Sequence, residues 1–257
     1  FFLYTIYYNY NMIGRVGGKH YCKKKIVSKM PEHKIYVEPF VGGGSILFEK
    51  KPVEKNIIND KDKIIYDIYT DMKECGETLV NQDFRCDENK FNFYKNMREF
   101  SSNEERLFRN CLVLRSSYGA MGDTYAGKSW YKLKGNQKTT GKKLKKPKWK
   151  KFLNDNNVKI YNTDYRNLIE KYDSKDTLFY LDPPYENQGN YYIAGGLTTE
   201  EIFNSIKNIK GKFMLSYNYS QKLINLCKDK FNIHDINTVY SMAGGKDSKT
   251  EILITNF

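Results

Sequence analysis

Seven short apolar runs, each too brief for an ordinary helix, alternate with stretches whose apolar residues recur at helical spacing, and this confines the chain to an α/β fold. The runs are Ile35–Phe40, Asn56–Asn59, Val158–Tyr161, Thr177–Leu181, Lys212–Ser216, Ile233–Ile236 and Glu251–Thr255. Helices are expected between them. One opens at Ser45, an amphipathic one runs from about Lys61 to Lys73, and Thr198 with Glu201 three positions on forms a capping box at the start of another. Alternating elements of this kind build a mostly parallel, doubly wound sheet. Residues 76–157 break the alternation, being helical first and then turn-rich and basic. They are read as an inserted domain between the two parts of the sheet domain, 1–75 and 158–257. No internal repeat is visible.

Of the 257 residues, 40% are hydrophobic and 28% charged, which supplies a core and excludes general disorder. The net charge of +13 points to a polyanionic partner. It is not spread evenly: Lys128 to Lys151 holds 11 lysines and no acid, leaving 32 basic against 30 acidic residues elsewhere. With Gly135, Gly141 and Pro147 and few apolar residues, 128–151 is expected to form a basic loop. A solvated charge run is the bland alternative. Trp130, Tyr131 and Trp149 interleave with the lysines, which suits a nucleic-acid surface. Lys128, Lys142, Lys143, Lys145, Lys146 and Lys148 are then phosphate contacts that position a duplex without reading its sequence.

Several classes are excluded. No apolar run approaches the roughly 18 residues a membrane helix needs, so no membrane partner is expected. Phe1 to Tyr10 is greasy but short, uncharged and interrupted by Thr5 and Asn9. It makes a poor signal peptide, and residues 1–11 are expected to precede the natural start because Met12 is the first methionine. The five cysteines (Cys22, Cys75, Cys86, Cys111 and Cys227) are scattered and never spaced as CxxC. They point to free thiols in a reducing, intracellular (cytoplasmic) compartment. His20, His33 and His234 are isolated, so no metal site is expected. Asn218-Tyr-Ser is formally a glycosylation acceptor, not expected to be used without a signal peptide.

Three constellations carry chemistry. Glu38-Pro39-Phe40-Val41-Gly42-Gly43-Gly44-Ser45 is a strand running into glycines and a helix start, the first loop of a nucleotide-binding α/β fold. The pattern is not GxGxxG and lacks a P-loop lysine, and a tight connection alone would also explain it. Asp60 follows the second strand, where an acid accepts hydrogen bonds from ribose hydroxyls; a helix N-cap is an equally good reading. Asp182-Pro183-Pro184-Tyr185 is sharper. It ends the most apolar strand, Thr177–Leu181, at the edge where open α/β sheets bind ligands. Its two prolines stiffen the backbone around a carboxylate, a carbonyl and an aromatic ring.

Together these residues resemble the Dam-like, alpha-class (D12) adenine-N6 DNA methyltransferases along nearly the whole chain from Met12. Gly17-Gly18-Lys19 matches the N-terminal GGK motif, and Glu38–Ser45 the cofactor loop. Asp60 with Lys61 falls at the acidic position, Asn162-Thr-Asp164-Tyr165 at the third cofactor motif, and Asp182–Tyr185 at the catalytic tetrapeptide. Leu215–Asn218 and Ser241–Asn256 also fit. The order of cofactor loop, inserted recognition region and catalytic motif is that of the alpha class.

The resemblance implies a Rossmann-like mixed sheet with an inserted helical and hairpin recognition domain. It implies methyl transfer from S-adenosyl-L-methionine to adenine N6 in double-stranded DNA, with S-adenosyl-L-homocysteine as product and no metal. Asp182 and the Pro183 carbonyl would accept the two amino hydrogens, and Tyr185 would stack on the flipped base. The cofactor would lie on Phe40 to Gly44, its ribose on Asp60, its adenine against Asp164 and Tyr165, with Lys19 near its methionine end or the catalytic loop. For Lys19 an exposed lysine is the alternative, and for Phe40 an ordinary core aromatic.

Two departures stand out. Arg15 occupies a position where relatives often carry an aromatic residue against the cofactor, so another aromatic takes that place or the cofactor is held more weakly. Arg115-Ser116-Ser117-Tyr118-Gly119-Ala120-Met121-Gly122 occupies the place of the recognition hairpin without its asparagine- and arginine-rich sequence, so a GATC target does not carry over. Tyr118 or Met121 as a wedge and Arg115 on a guanine edge are candidate contacts, packing or a turn being the alternatives. The rival functions are cytosine-N4 or RNA amino-methylation, a catalytically silent DNA-binding relative, and a dinucleotide-dependent enzyme. Asp182 favours adenine, since cytosine-N4 enzymes more often show Ser-Pro-Pro-Tyr. A cognate restriction endonuclease, as in a restriction-modification pair, is a candidate partner.

Overall fold

The computed structural model describes residues 18, 19, 21–127, 148–186, 196–242 and 245–257. The chain divides into two compact units, Lys19–Lys63 with Asn156–Phe257, and Ile64–Asp155 with Phe1–Gly18. Eight α-helices lie among the described residues: α1 Lys23–Val27, α2 Lys63–Cys75, α3 Glu88–Asn96, α4 Asn103–Ser116, α5 Lys148–Asp155, α6 Tyr165–Tyr172, α7 Thr199–Ile206 and α8 Gln221–Cys227. The strands are β1 Ile35–Glu38, β2 Lys55–Asn59, β3 Val158–Tyr161, β4 Thr177–Leu181, β5 Lys212–Asn218, β6 Asn232–Met242 and β7 Gly245–Thr255.

All seven strands form one sheet of order β3-β2-β1-β4-β5-β7-β6. The pairs from β3 through β5 are parallel, and β7 runs antiparallel to both β5 and β6. All five residues of β4 are buried, as a parallel strand covered on both faces requires. Val37 pairs with Phe179 and Leu181 with Leu215, and these join Phe213, Ile252 and Ile254 in a core closed by Ile202 and Ile206 of α7 and Leu223 of α8. Burying each such side chain stabilises the fold by about 1.5–3 kcal/mol. After β1 the chain moves to one side for β2, while β4 joins β1 on the other. The carboxyl ends of β1 and β4 therefore flank the point where strand order reverses, the place where open sheets bind ligands.

Local signals act as their chemistry demands. Thr198 Oγ1 accepts from Glu201 N at 3.2 Å while Thr198 N donates to Glu201 Oε2 at 2.9 Å, the expected capping box of α7. The helix expected at Ser45 is not present. Phe48 N donates to Gly44 O and Lys50 N to Ile46 O, but Glu49 N turns to Ile46 O, three residues back. Pro52 follows before enough turns accumulate to offset nucleation, so the segment is a run of turns. The β6–β7 hairpin is longer than the apolar runs suggest, because its distal half, including Lys246-Asp-Ser-Lys-Thr250, is polar.

In the unit spanning Ile64–Asp155, the side chains of α2 are tied to the following helices. Asp71 takes a bidentate pair from Arg106 of α4 at 2.9 and 2.6 Å, and Asn154 of α5 donates to Lys73 O at 3.0 Å. These links tie α2 to the later helices of the unit that begins at Ile64. After α4 the chain reverses: Ser117 bridges Tyr125, Tyr118 N donates to Thr124 O, and Ala126 N to Ser116 O. No helix among the described residues is long and apolar enough to cross a membrane, and no group of His, Cys, Asp and Glu among them is arranged to hold a metal.

Candidate active site

Asp182 leaves the sheet directly after the buried run of β4. Pro183 and Pro184 have no N–H to extend the ladder, so the backbone turns out at this point. The returning chain pins it: Leu197 N donates to Pro184 O at 3.1 Å, and Tyr185 bridges Leu197. A Cβ at Gly196 would collide with the Tyr185 carbonyl, so glycine permits this approach. Glu186 accepts from Thr199 at the head of α7, at 3.3 Å from N and 3.0 Å from Oγ1.

Lys19 is 2% exposed and joins the tetrapeptide. Its Nζ lies 2.7 Å from Asp182 Oδ1 and 3.5 Å from Glu251 Oε1, and donates to Tyr185 Oη at 3.0 Å. Tyr185 Oη donates to Glu251 Oε1 at 3.4 Å, and its ring meets Tyr217 edge-on at 4.8 Å. Of the two places expected for Lys19, the described contacts are with the Asp182–Tyr185 loop, and the exposed alternative is excluded. Burial alone would lower the Lys19 ammonium, but Asp182, Tyr185 and Glu251 outweigh it and hold it well above the usual lysine range. Burial pushes the Asp182 carboxyl up to about 6; Lys19 pulls it down and Glu251 pushes it further up.

Around the loop after β1, Glu38 is buried and accepts from Tyr36 Oη at 2.8 Å; burial raises its carboxyl to about 8 despite that bond. Gly42 has φ +46°, and its N donates to Asp60 Oδ2 at 2.9 Å, while Asp60 Oδ1 accepts from Asp62 N at 2.9 Å. Phe40 is half-buried against the ring of Tyr165, 5.1 Å between centroids, and Tyr165 bonds Ser205 through its hydroxyl at 2.7 Å. Asp164 caps α6 by accepting Arg166 N at 3.0 Å and pairs with Lys61 at 3.8 Å. Side-chain contacts thus link Phe40 with Tyr165, Gly42 with Asp60 and Lys61 with Asp164. Pro39 is held through its carbonyl by Asn59, and Ser45 is buried.

Other expected residues stand apart. Arg15, Gly17, Lys128, Lys142, Lys143, Lys145 and Lys146 lie outside the described residues, as does the side chain of Lys148 at the start of α5. In the Ile64–Asp155 unit, Tyr118 is 63% exposed, Met121 is half-buried and Ser116 is buried. Arg115 is half-buried with its guanidinium 5.2 Å above the Phe84 ring.

Sequence reasoning missed two residues. Glu251 is 1% exposed, and its one signal is an acid opening an apolar strand. Asn59 is also buried. Its amide donates to Pro39 O at 2.9 Å and Thr163 O at 3.2 Å, and its carbonyl accepts Thr163 N at 2.9 Å.

The mixed sheet, with Asp-Pro-Pro-Tyr at the carboxyl end of its central strand, defines a methyltransferase of the Rossmann-like α/β kind. Residues 16–242 match the model of the D12 class N6 adenine-specific DNA methyltransferase family, and the chain belongs to that family. It is 27% identical over 267 residues to Type II methyltransferase M1.LlaDCHI of Lactococcus lactis subsp. cremoris, covering 94% of this chain and 93% of the relative. It is 25% identical over 294 residues to Type II methyltransferase M.MjaIII of Methanocaldococcus jannaschii, covering 94% and 96%. The protein is a site-specific, adenine-specific DNA methyltransferase, of a family whose use of S-adenosylmethionine is general.

Proposed function

We propose that Asp182 and the Pro183 carbonyl are the two acceptors that activate the N6 amino group of an adenine flipped from duplex DNA. The position of Asp182 carries the reading: a carboxylate at the carboxyl end of the central strand, paired with Lys19 at 2.7 Å. Beside it stands the Pro183 carbonyl, to which no described residue donates. The adenine nitrogen is a poor nucleophile because its lone pair is delocalised into the ring. Accepting both its hydrogens draws it toward a tetrahedral geometry with the lone pair directed at the methyl carbon. As the N–C bond forms, the nitrogen holds one proton too many, and the Asp182 carboxylate takes it. A carboxyl near 6 is ionised at neutral pH and still basic enough for that step. Tyr185, held through its hydroxyl and against Tyr217, packs on the flipped base.

S-Adenosylmethionine, when bound, supplies the methyl group on a positively charged sulfur and leaves as S-adenosylhomocysteine. The loop after β1 fits such a ligand: Gly42 borders open space, with nothing within 4 Å of where a Cβ would stand. Phe40 to Ser45 with Glu38 and Pro39 would form its bed, Asp60 would accept from its ribose, and Lys61, Asp164 and Tyr165 would flank its adenine. Gly17 and Arg15 join this assignment on sequence alone. The Ile64–Asp155 unit with the basic run would recognise the target, the lysines holding phosphates and Tyr118, Met121, Ser116 and Arg115 lying at the bases. The exposed ring of Tyr118 supports a wedging role. The Type II names of the relatives support pairing with a restriction endonuclease of the same specificity.

Asp182→Ala is the direct test. Single-turnover methyl transfer is expected to fall by about 10²–10⁴-fold, with cofactor and DNA affinities largely retained. Full activity in the variant would refute the mechanism.

A further inference from the structure

We infer that Glu251 is a positioning residue of the active site: it shares the Lys19 ammonium with Asp182 and fixes the Tyr185 hydroxyl, leaving Asp182 able to accept a hydrogen from the substrate. The inference rests on the proposed role of Asp182 as acceptor.

Glu251 sits on β7 opposite Asn218 of β5, and its side chain is 1% exposed. A carboxylate so buried is held only by partners that compensate lost hydration. Two of them belong to the active site, Lys19 at 3.5 Å and the Tyr185 hydroxyl at 3.4 Å, both on Oε1. An ammonium has three hydrogens to give, and Lys19 has three acceptors from this cluster around it: Asp182 at 2.7 Å, Tyr185 at 3.0 Å and Glu251. With Glu251 neutral, the full cationic field of Lys19 would fall on Asp182. A carboxylate so paired is a weaker acceptor for an amino hydrogen. Glu251 also keeps the Tyr185 hydroxyl, and with it the ring that faces the base, in one orientation.

Other groups face Asp182 without carrying this balance. Cys22 follows Lys19, Tyr36 and Glu38 come from β1, and Tyr180 from β4. Burial pushes the Cys22 thiol up to about 12 and holds the Tyr36 and Tyr180 phenols high, while Glu38 stands at about 8. None of these four changes charge near pH 6. Loss of the negative charge at Glu251 removes a repulsion from Asp182 and strengthens its pairing with Lys19. Both effects act in one direction.

Single-turnover methyl transfer measured from pH 5 to 8 on wild type, Glu251→Gln, Glu251→Asp and Asp182→Asn tests this. Glu251→Gln is expected to move the acid limb down by about one pH unit and to lower the plateau about ten-fold; Glu251→Asp keeps the limb in place. A purely structural role would lower the amount of folded enzyme without moving the limb. An inactive Asp182→Asn together with an unmoved limb in Glu251→Gln overturns the inference alone. An active Asp182→Asn overturns the acceptor assignment beneath it. Should Glu251→Gln not fold, Lys19→Gln tests the balance from the other side: the limb moves to higher pH, and a limb that stays in place overturns the inference.

Discussion

At Asp182 three effects compete. Burial favours the protonated acid, the Lys19 ammonium favours the carboxylate, and Glu251 again favours the acid, leaving the group at about 6 rather than in the usual carboxylate range. Because the folded state binds this proton more tightly than the unfolded chain does, the stability it contributes is full below the unfolded value and is lost as pH rises through 6. Under the proposed acceptor role activity runs the other way, since only a carboxylate accepts the amino hydrogens. The wild-type single-turnover rate is expected to fall as pH drops through about 6, and a limb at the ordinary aspartate position would contradict this. Asp182 was legible in the sequence because two prolines behind a largely apolar strand admit few other readings. Glu251 was not: its neighbours in space, Lys19 and Tyr185, are brought to it only by strand order.

The loops after β1, β2 and β3 are joined by two asparagines. Asn59 bonds Pro39 and Thr163, and Asn162 donates to Asp60 O at 2.8 Å and Lys61 O at 3.1 Å. The segments assigned to the cofactor are thus held by side chains that need not touch it. Asn59→Ala would leave three backbone groups without their partner, at a cost of about 1–3 kcal/mol for a buried group. Cofactor affinity measured by calorimetry is expected to fall about ten-fold, the equivalent of about 1.4 kcal/mol. Unchanged affinity in a folded variant would mean the loops do not depend on this bond. The strands of the sheet centre lie within a residue or two of the expected runs, since each carries buried apolar residues such as Val37, Ile57, Phe179 and Leu215. The distal hairpin was not, because residues such as Lys246 and Lys249 form a ladder without an apolar pattern to announce it. The glycine loop was recognised, but the helix expected after it is cut short before Pro52.

Across the whole molecule, strand order accounts for most of the chemistry. It sets Glu38 and Asp182 at the carboxyl ends of adjacent strands and brings Glu251 in on the lone antiparallel strand. The alternation of elements foretold this sheet. The amphipathic pattern of α2 does not reveal which partners cover it; the ion pair of Asp71 with Arg106 does, and it lies within the compact unit that begins at Ile64. Methyl transfer to adenine N6 at one short DNA sequence, with Asp182 as the proposed acceptor, is open to a direct measurement. Expression of wild type and Asp182→Ala in a host free of DNA methylation, followed by single-molecule sequencing of the genome, tests it directly. N6-methyladenine is expected in a single short motif with wild type and to be absent with the variant. N4-methylcytosine, an unmodified genome from folded wild-type protein, or equal modification by Asp182→Ala would contradict it.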